Sequence, residues 1–268
     1  HGAQDGRMKD ILDLDRYPLG QQGSTAYQQM VDDAKAGLAH HGLFNLAGFM
    51  RPKSIAEMLD HVCPRLATES FHHRRSHNIY FQDQMDGLAP DDPALAKVET
   101  ANHTLCHDQL LGTALDRLYN WQPFMHFLAA VMEQSALYVM DDPLSGINVL
   151  EYRTDEALNW HFDRSIFTTT LLLQSAQDGG DFEYAQDLRS DTDANHAGVA
   201  DLLAGRLSPT QLQQDAGTLN VFLGRNTAHR VSQVNSQRSR IVAVLSHYDR
   251  PGACFSASEQ MGFFGRVG

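Results

Sequence analysis

Asn159-Trp160-His161-Phe162-Asp163-Arg164, closely followed by Phe167-Thr168-Thr169-Thr170-Leu171-Leu172-Leu173, is the stretch on which the fold turns. Successive side chains of an extended chain point to opposite faces. His161 and Asp163 therefore share one face, and Trp160 and Phe162 pack in the opposite layer. The run that follows is rich in β-branched and apolar residues and reads as a strand. Similar short runs lie on both sides: Leu137-Tyr138-Val139-Met140 and Ile147-Asn148-Val149-Leu150-Glu151-Tyr152 upstream, Phe182-Glu183-Tyr184, Thr218-Leu219-Asn220-Val221-Phe222-Leu223 and Ile241-Val242-Ala243-Val244-Leu245-Ser246 downstream. Turn residues such as Gly179-Gly180 separate them. At least six short strands within residues 136–250 predict a double-sheet jelly roll, with an insert of loop and short helix at about 190–214.

Further upstream the apolar period becomes helical. Ser24 or Thr25 caps a helix over residues 26–40 that stops near Gly42 and passes into an apolar run, residues 43–49. A second helix follows Pro52, with Ile55, Met58, Leu59, Val62 and Leu66 on one face. Residues 93–118 and 123–133 also read as helical. The expected architecture is α+β with a mainly β core: one domain over 1–268, a mostly helical part (8–135) packed on one face, and a tail at 251–268. Residues 1–7, before Met8, read as an expression remnant and are set aside.

At 268 residues and 42% apolar composition the chain can bury a full core. A formal charge of -12 speaks against nucleic acid, because binding a phosphate backbone needs surplus Lys and Arg. Small molecules are the expected partners. Cys63, Cys106 and Cys254 form no C-x-x-C pair, which fits a reducing, cytoplasmic setting. No apolar run approaches the roughly 20 residues of a membrane span, and no signal segment opens the chain. Nothing in the sequence specifies an oligomeric state.

Downstream, Arg225-Asn226-Thr227-Ala228-His229-Arg230 supplies a second imidazole. Two histidines and one carboxylate on one face of a metal form the facial triad that suits iron(II) with open positions. The same donors bind catalytic zinc, but the helical H-E-x-x-H spacing usual there is absent. H-x-D alone is a weak signal in a chain with fourteen histidines. The order is more specific: H-x-D, a strand, Gly179-Gly180-Asp181-Phe182, a strand, His229, and Arg240 eleven residues later.

Over residues 136–250 this order resembles the Fe(II)/2-oxoglutarate-dependent oxygenases, whose core is a cupin-like double-stranded β-helix. The resemblance implies iron(II) on His161, Asp163 and His229, the cosubstrate 2-oxoglutarate on two of the three remaining positions, and O2 on the third. Four segments look more closely like a bacterial branch related to halogenases and hydroxylases of free amino acids. They are Ser76-His77-Asn78-Ile79-Tyr80-Phe81, residues 157–165, Gly224-Arg225-Asn226-Thr227-Ala228-His229-Arg230-Val231, and Met261-Gly262-Phe263-Phe264-Gly265-Arg266. Halogenating members carry glycine where this chain has Asp163. The resemblance therefore implies hydroxylation of an unactivated C–H bond in a free or modified amino acid. Desaturation, cyclisation or halogenation with the same cofactors are the alternatives, and a cupin-like metal-binding protein without turnover is the non-enzymatic one.

The distal carboxylate of 2-oxoglutarate calls for the fork of an arginine. Arg240 matches the family pattern, while Arg238, two residues earlier, is not excluded by spacing. Asn148 and Ser246 are further candidates for the cosubstrate cavity. For the substrate, His77, Asn78, Arg74 and Arg75 form a polar cluster suited to a lid over the iron. Arg164, with Asp142 and Glu151, could meet the charges of an amino acid. Phe264 either closes the pocket or anchors the tail.

Overall fold

The computed structural model describes residues 2–268. The helices are α1 (Gly2–Ile11), α2 (Thr25–His41), α3 (Pro52–Glu69), α4 (Ala114–Tyr119), α5 (Gln122–Val131), α6 (His196–Leu203) and α7 (Ala257–Phe264). The strands are β1 (Leu43–Leu46), β2 (Phe71–His77), β3 (Val98–Leu105), β4 (Tyr138–Val139), β5 (Ile147–Tyr152), β6 (Leu158–His161), β7 (Thr168–Gln174), β8 (Phe182–Ala185), β9 (Thr210–Leu212), β10 (Leu219–Phe222), β11 (Ala228–Val231), β12 (Arg240–Leu245) and β13 (His247–Tyr248).

Two sheets carry the molecule, in the orders β1-β10-β7-β12-β5-β3-β2 and β6-β11-β8-β9. The eight strands β5 to β12 pass back and forth between them, which is the double-stranded β-helix. Tyr152, Leu172 and Val242 of the large sheet meet Val231 of the small one in the interior. Alternate residues of the same large-sheet strands (Ile147, Val149, Leu171, Leu173, Ile241, Ala243) turn the other way and pack under α1 to α5. The small sheet's outer face holds Trp160 and Phe162 against α6 and the chain around Ile79. The insert thus supplies a covering helix and, in β9, the edge strand beside β8.

Local chemistry sets the helix ends. Ser24 accepts the Tyr27 N–H at the start of α2, and Gly42 closes it at φ 74°, a left-handed conformation that costs glycine little. In α3, Ile55, Met58, Val62 and Leu66 form the buried stripe, each apolar side chain worth roughly 1.5–3 kcal/mol.

Residues 93–118 depart from the helical reading. Only Pro93–Leu95 and His107–Gln109 are short 3-10 turns and Ala114–Tyr119 a helix, while Val98–Leu105 is a strand between β5 and β2. Val98, Thr100 and Thr104 are β-branched, and pairing on both sides outweighs the weak helical period. β2 gives no apolar alternation because it is an edge strand dressed with His72, His73, Arg74 and Arg75, a common defence of exposed edges. Part of the region read as a remnant is also structural, since α1 starts at Gly2 and Met8 and Ile11 lie in the core. His1 lies outside the described residues. None of the three cysteines is paired, and no helix among the described residues is long and apolar enough to cross a membrane.

Where α4 meets β13, His247 stacks on Tyr119 at 4.4 Å and donates from Nε2 to the Tyr119 carbonyl at 2.9 Å. Its Nδ1 is buried without a partner. Burial pushes its pKa down to about 4, against the backbone hydrogen bond. The unfolded chain gains this proton near pH 6.5 and the folded one only near 4, so stability is lost as pH falls through that window, by up to about 3 kcal/mol. Urea midpoints at pH 7.5 and 5 should differ more in the wild type than in His247→Phe. Equal differences would remove His247 from the account.

Candidate metal centre

β6 and β11 run antiparallel with His161 and His229 directly opposite each other, their rings 4.1 Å apart. Each ring donates its Nδ1–H to the carbonyl two residues back, His161 to Asn159 (2.8 Å) and His229 to Thr227 (2.9 Å). A carbonyl only accepts, so Nε2 is the ligand-capable atom in both. Those atoms converge on Asp163: Nε2 of His161 lies 3.3 Å from Oδ1, and Nε2 of His229 lies 3.2 Å from Oδ2. Three potential metal-binding atoms thus face one point, all within 4.8 Å of each other.

Asp163, just beyond the end of β6, is fixed from several sides. Its N–H donates to the Gly224 carbonyl at 2.9 Å, and the Thr168 hydroxyl donates to Oδ2 at 2.6 Å. A Cβ at Gly224 would overlap the carboxylate itself. Such outer partners typically tune metal affinity 10- to 100-fold. Gly224→Ala should therefore leave the far-UV spectrum intact and weaken iron(II) binding by about tenfold or more. An unchanged titration would show that the carboxylate is not held this way.

Charge ties the three together. Burial works to raise the Asp163 carboxyl, but the His229 imidazole and hydrogen bonds from both rings overcome it and hold the group well below the usual carboxylate range. His229 is raised despite its burial, through Asp163, whereas burial and the neighbouring His229 lower His161. A metal taking both Nε2 lone pairs displaces the proton that His229 shares with Asp163. Phe222 (4.6 Å) and Phe182 (6.0 Å) wall the His229 ring, and Phe81 lies 5.6 Å from His161. Two imidazoles and a carboxylate on a wall of aromatic rings can hold a divalent transition metal.

Arg240 begins β12, on the same face as Val242, and its side chain enters the space between the sheets. It is 5% exposed, donates Nη1 to the Gly180 carbonyl at 3.0 Å, and leaves Nε without a partner. Burial lowers its pKa to about 10, with Tyr152 and Asp181 opposing. No carboxylate among the described residues is within ion-pair distance. Gly179 and Gly180, at φ 65° and 63°, make the turn that presents this carbonyl. Arg238 is exposed, so burial separates the two arginines that spacing left together.

One interior residue escaped the sequence reading. Asn220 is 1% exposed on β10, on the face opposite Leu219 and Val221, and neither its Nδ2 nor its Oδ1 has a partner. The signal was present: a lone amide within Thr218-Leu219-Asn220-Val221-Phe222. Thr168 and Gly224 gave none, since their roles arise only from contact with Asp163.

Other candidates lie elsewhere. The Asn148 amide donates to the carbonyls of Leu144 (3.0 Å) and Leu105 (3.5 Å). Ser246 lies past the end of β12, and six residues of strand rise place it about 20 Å from Arg240, so it does not share that arginine's ligand. Asn78 organises a turn, its Oδ1 accepting from Tyr80 and Gln82 N–H while Nδ2 donates to Gln82 O. Arg74 pairs with Glu99 on the surface, and Arg164 with Glu259 of α7. Asp142 accepts backbone N–H groups of Leu144, Ser145 and Phe255, and Glu151 pairs with Arg153. Phe264 packs with Cys106 and Leu144, which anchors the tail.

His77 does lie beside the centre. It is 2% exposed, stacks on Phe81 at 4.4 Å, and donates Nδ1–H to the Asn78 carbonyl (2.8 Å) while Nε2 accepts from Thr100 Oγ1 (2.6 Å). Both nitrogens are engaged, and burial lowers its pKa against the backbone hydrogen bond to Asn78.

No family model matches the chain, and no curated protein matches it. Solved structures do. The epimerase SnoN from nogalamycin biosynthesis, in complex with Fe3+, alpha ketoglutarate and nogalamycin RO, superposes with a TM-score of 0.57 at 14% identity, covering 83% of this chain and 84% of that one. An oxidoreductase of the 2OG-Fe(II) oxygenase family from Burkholderia pseudomallei gives 0.52 at 14% identity over 83% and 92%. A Pseudomonas putida prolyl-4-hydroxylase gives 0.50 at 14% identity over 82% and 100%. The chain has the double-stranded β-helix fold of these iron and 2-oxoglutarate oxygenases.

Proposed function

We propose that the protein is a non-haem iron(II)- and 2-oxoglutarate-dependent oxygenase that hydroxylates an unactivated C–H bond of a small molecule, a free or modified amino acid. The observation that carries this reading is the pairing of the His161–Asp163–His229 triad with a buried guanidinium that has an unpartnered Nε and no carboxylate within ion-pair distance among the described residues. A buried, unpaired charge costs several kcal/mol, a cost that an anionic ligand offsets. The orphaned Nε of Arg240 fits an anionic, oxygen-rich cosubstrate between the sheets.

Iron(II) would be held by Nε2 of both histidines and the Asp163 carboxylate. When bound with 2-oxoglutarate and O2, it supplies the oxidising power for C–H hydroxylation, the cosubstrate leaving as succinate and carbon dioxide. The chain's own residues do the rest. Arg240 takes the distal carboxylate through its fork. Thr168 and Gly224 hold Asp163 in place. Phe182, Phe222 and Phe81 keep water from the imidazoles. With Asp163 filling the third protein position, no vacancy is left for a halide, which favours hydroxylation over halogenation.

The amino-acid substrate rests on the resemblance in residues 76–81 and 261–266, with His77 and Phe81 adjoining His161. A reducing cytoplasmic setting agrees with an iron(II) cofactor and three unpaired cysteines. The test is incubation with iron(II), 2-oxoglutarate and a panel of free amino acids, with and without chloride, followed by mass spectrometry. A gain of one oxygen with stoichiometric succinate is expected. A chlorinated product, or no substrate-stimulated succinate from any amino acid, would overturn the corresponding part.

A further inference from the structure

A second group of ligand-capable side chains converges away from the triad: His72, His103 and Glu156. His72 of β2 and His103 of β3 are direct cross-strand partners, with rings parallel to within 3° and 4.3 Å apart. Glu156 comes from the turn between β5 and β6. Its Oε1 is 3.0 Å from His103 Nδ1, and its Oε2 is 3.2 Å from His72 Nε2. Oε1 also accepts the Arg153 N–H at 2.8 Å.

The carboxylate is 6% exposed, yet among the described residues its ion-pair partners are these two imidazoles and no lysine or arginine side chain. The nearby Arg153 guanidinium is committed to Glu151 at 2.6 Å and to the Leu66 carbonyl at 2.8 Å. A divalent cation neutralises the carboxylate without charging either ring.

We propose that His72, His103 and Glu156 form a second metal site, for a borderline divalent ion of the zinc class. Two imidazoles and one carboxylate suit zinc, whereas calcium and magnesium take oxygen ligands. The three donor atoms lie within 4.8 Å of one another, and bonds of about 2.0–2.1 Å require that they draw inward and that the His72 ring tilt out of its stack on His103. His72 has the freedom to move, its side chain being half exposed on the edge strand. The fourth position opens to water there. Such an ion ties β2, β3 and the turn after β5 together, bracing the edge of the large sheet.

Metal-free protein would be titrated with zinc(II) alone and the bound metal measured after dialysis. Wild type should hold two equivalents and His72→Ala one; because His72 is half exposed, this variant should fold normally, as checked by circular dichroism. Asp163→Ala combined with His229→Ala should keep one equivalent and lose it on adding His72→Ala. Undiminished stoichiometry in His72→Ala overturns the site. So does a double variant that binds no zinc, or one whose bound zinc survives the loss of His72.

Discussion

Alanine at His229, or at Asp163, is expected to abolish iron binding and with it all turnover, while the far-UV spectrum stays that of the wild type. His229 is 3% exposed and faces Asp163 across 3.2 Å, and among the described residues only His161 joins these two at their point of convergence. Structural zinc sites with four ligands are worth about 10–16 kcal/mol, so one ligand contributes on the order of 3 kcal/mol, more than a hundredfold in affinity. Loss of activity compounds this, because the ligands act as a unit. The measurement is iron(II) titration together with succinate release. Activity above a tenth of the wild-type rate in either variant would contradict the assignment.

The second large effect is expected at Arg240. Removing one partner of a buried charge pair costs roughly 2–5 kcal/mol, so Arg240→Ala should raise the KM for 2-oxoglutarate by about a hundredfold or more. Arg238→Ala, at an exposed position, should change it by less than about threefold. Stability should move the other way in Arg240→Leu. Without cosubstrate the wild type buries a guanidinium whose Nε has no partner, and an apolar replacement of similar volume is often neutral or stabilising. The variant should therefore melt at or above the wild-type temperature in the absence of 2-oxoglutarate and show no stabilisation when it is added. A melting rise with cosubstrate equal to that of the wild type would show that the anion binds elsewhere.

Sequence and structure agree where the signal is local. The alternation of Trp160 and Phe162 with His161 and Asp163, the Gly42 stop of α2, and the β-branched runs of β5, β7 and β12 each state their conformation within a few residues. β2 and β3 do not. The first is a charged edge with nothing to bury, and the second becomes a strand because β5 and β2 pair with it on either side. The site divides in the same way. Its three candidate ligands show in residue type and order, whereas Thr168 and Gly224 acquire meaning only from distances across the fold. Arg74, Arg164 and Phe264 are the converse. Their chemistry suits a pocket, yet Glu99, Glu259 and a small apolar cluster around Cys106 hold them elsewhere.

Adding iron(II) and 2-oxoglutarate to the protein under anaerobic conditions tests the central claim most directly. A weak visible charge-transfer band should appear in the wild type, requiring both components, and be absent when Asp163 and His229 are both alanine. No band in the wild type, or a band retained in that double variant, would contradict the account.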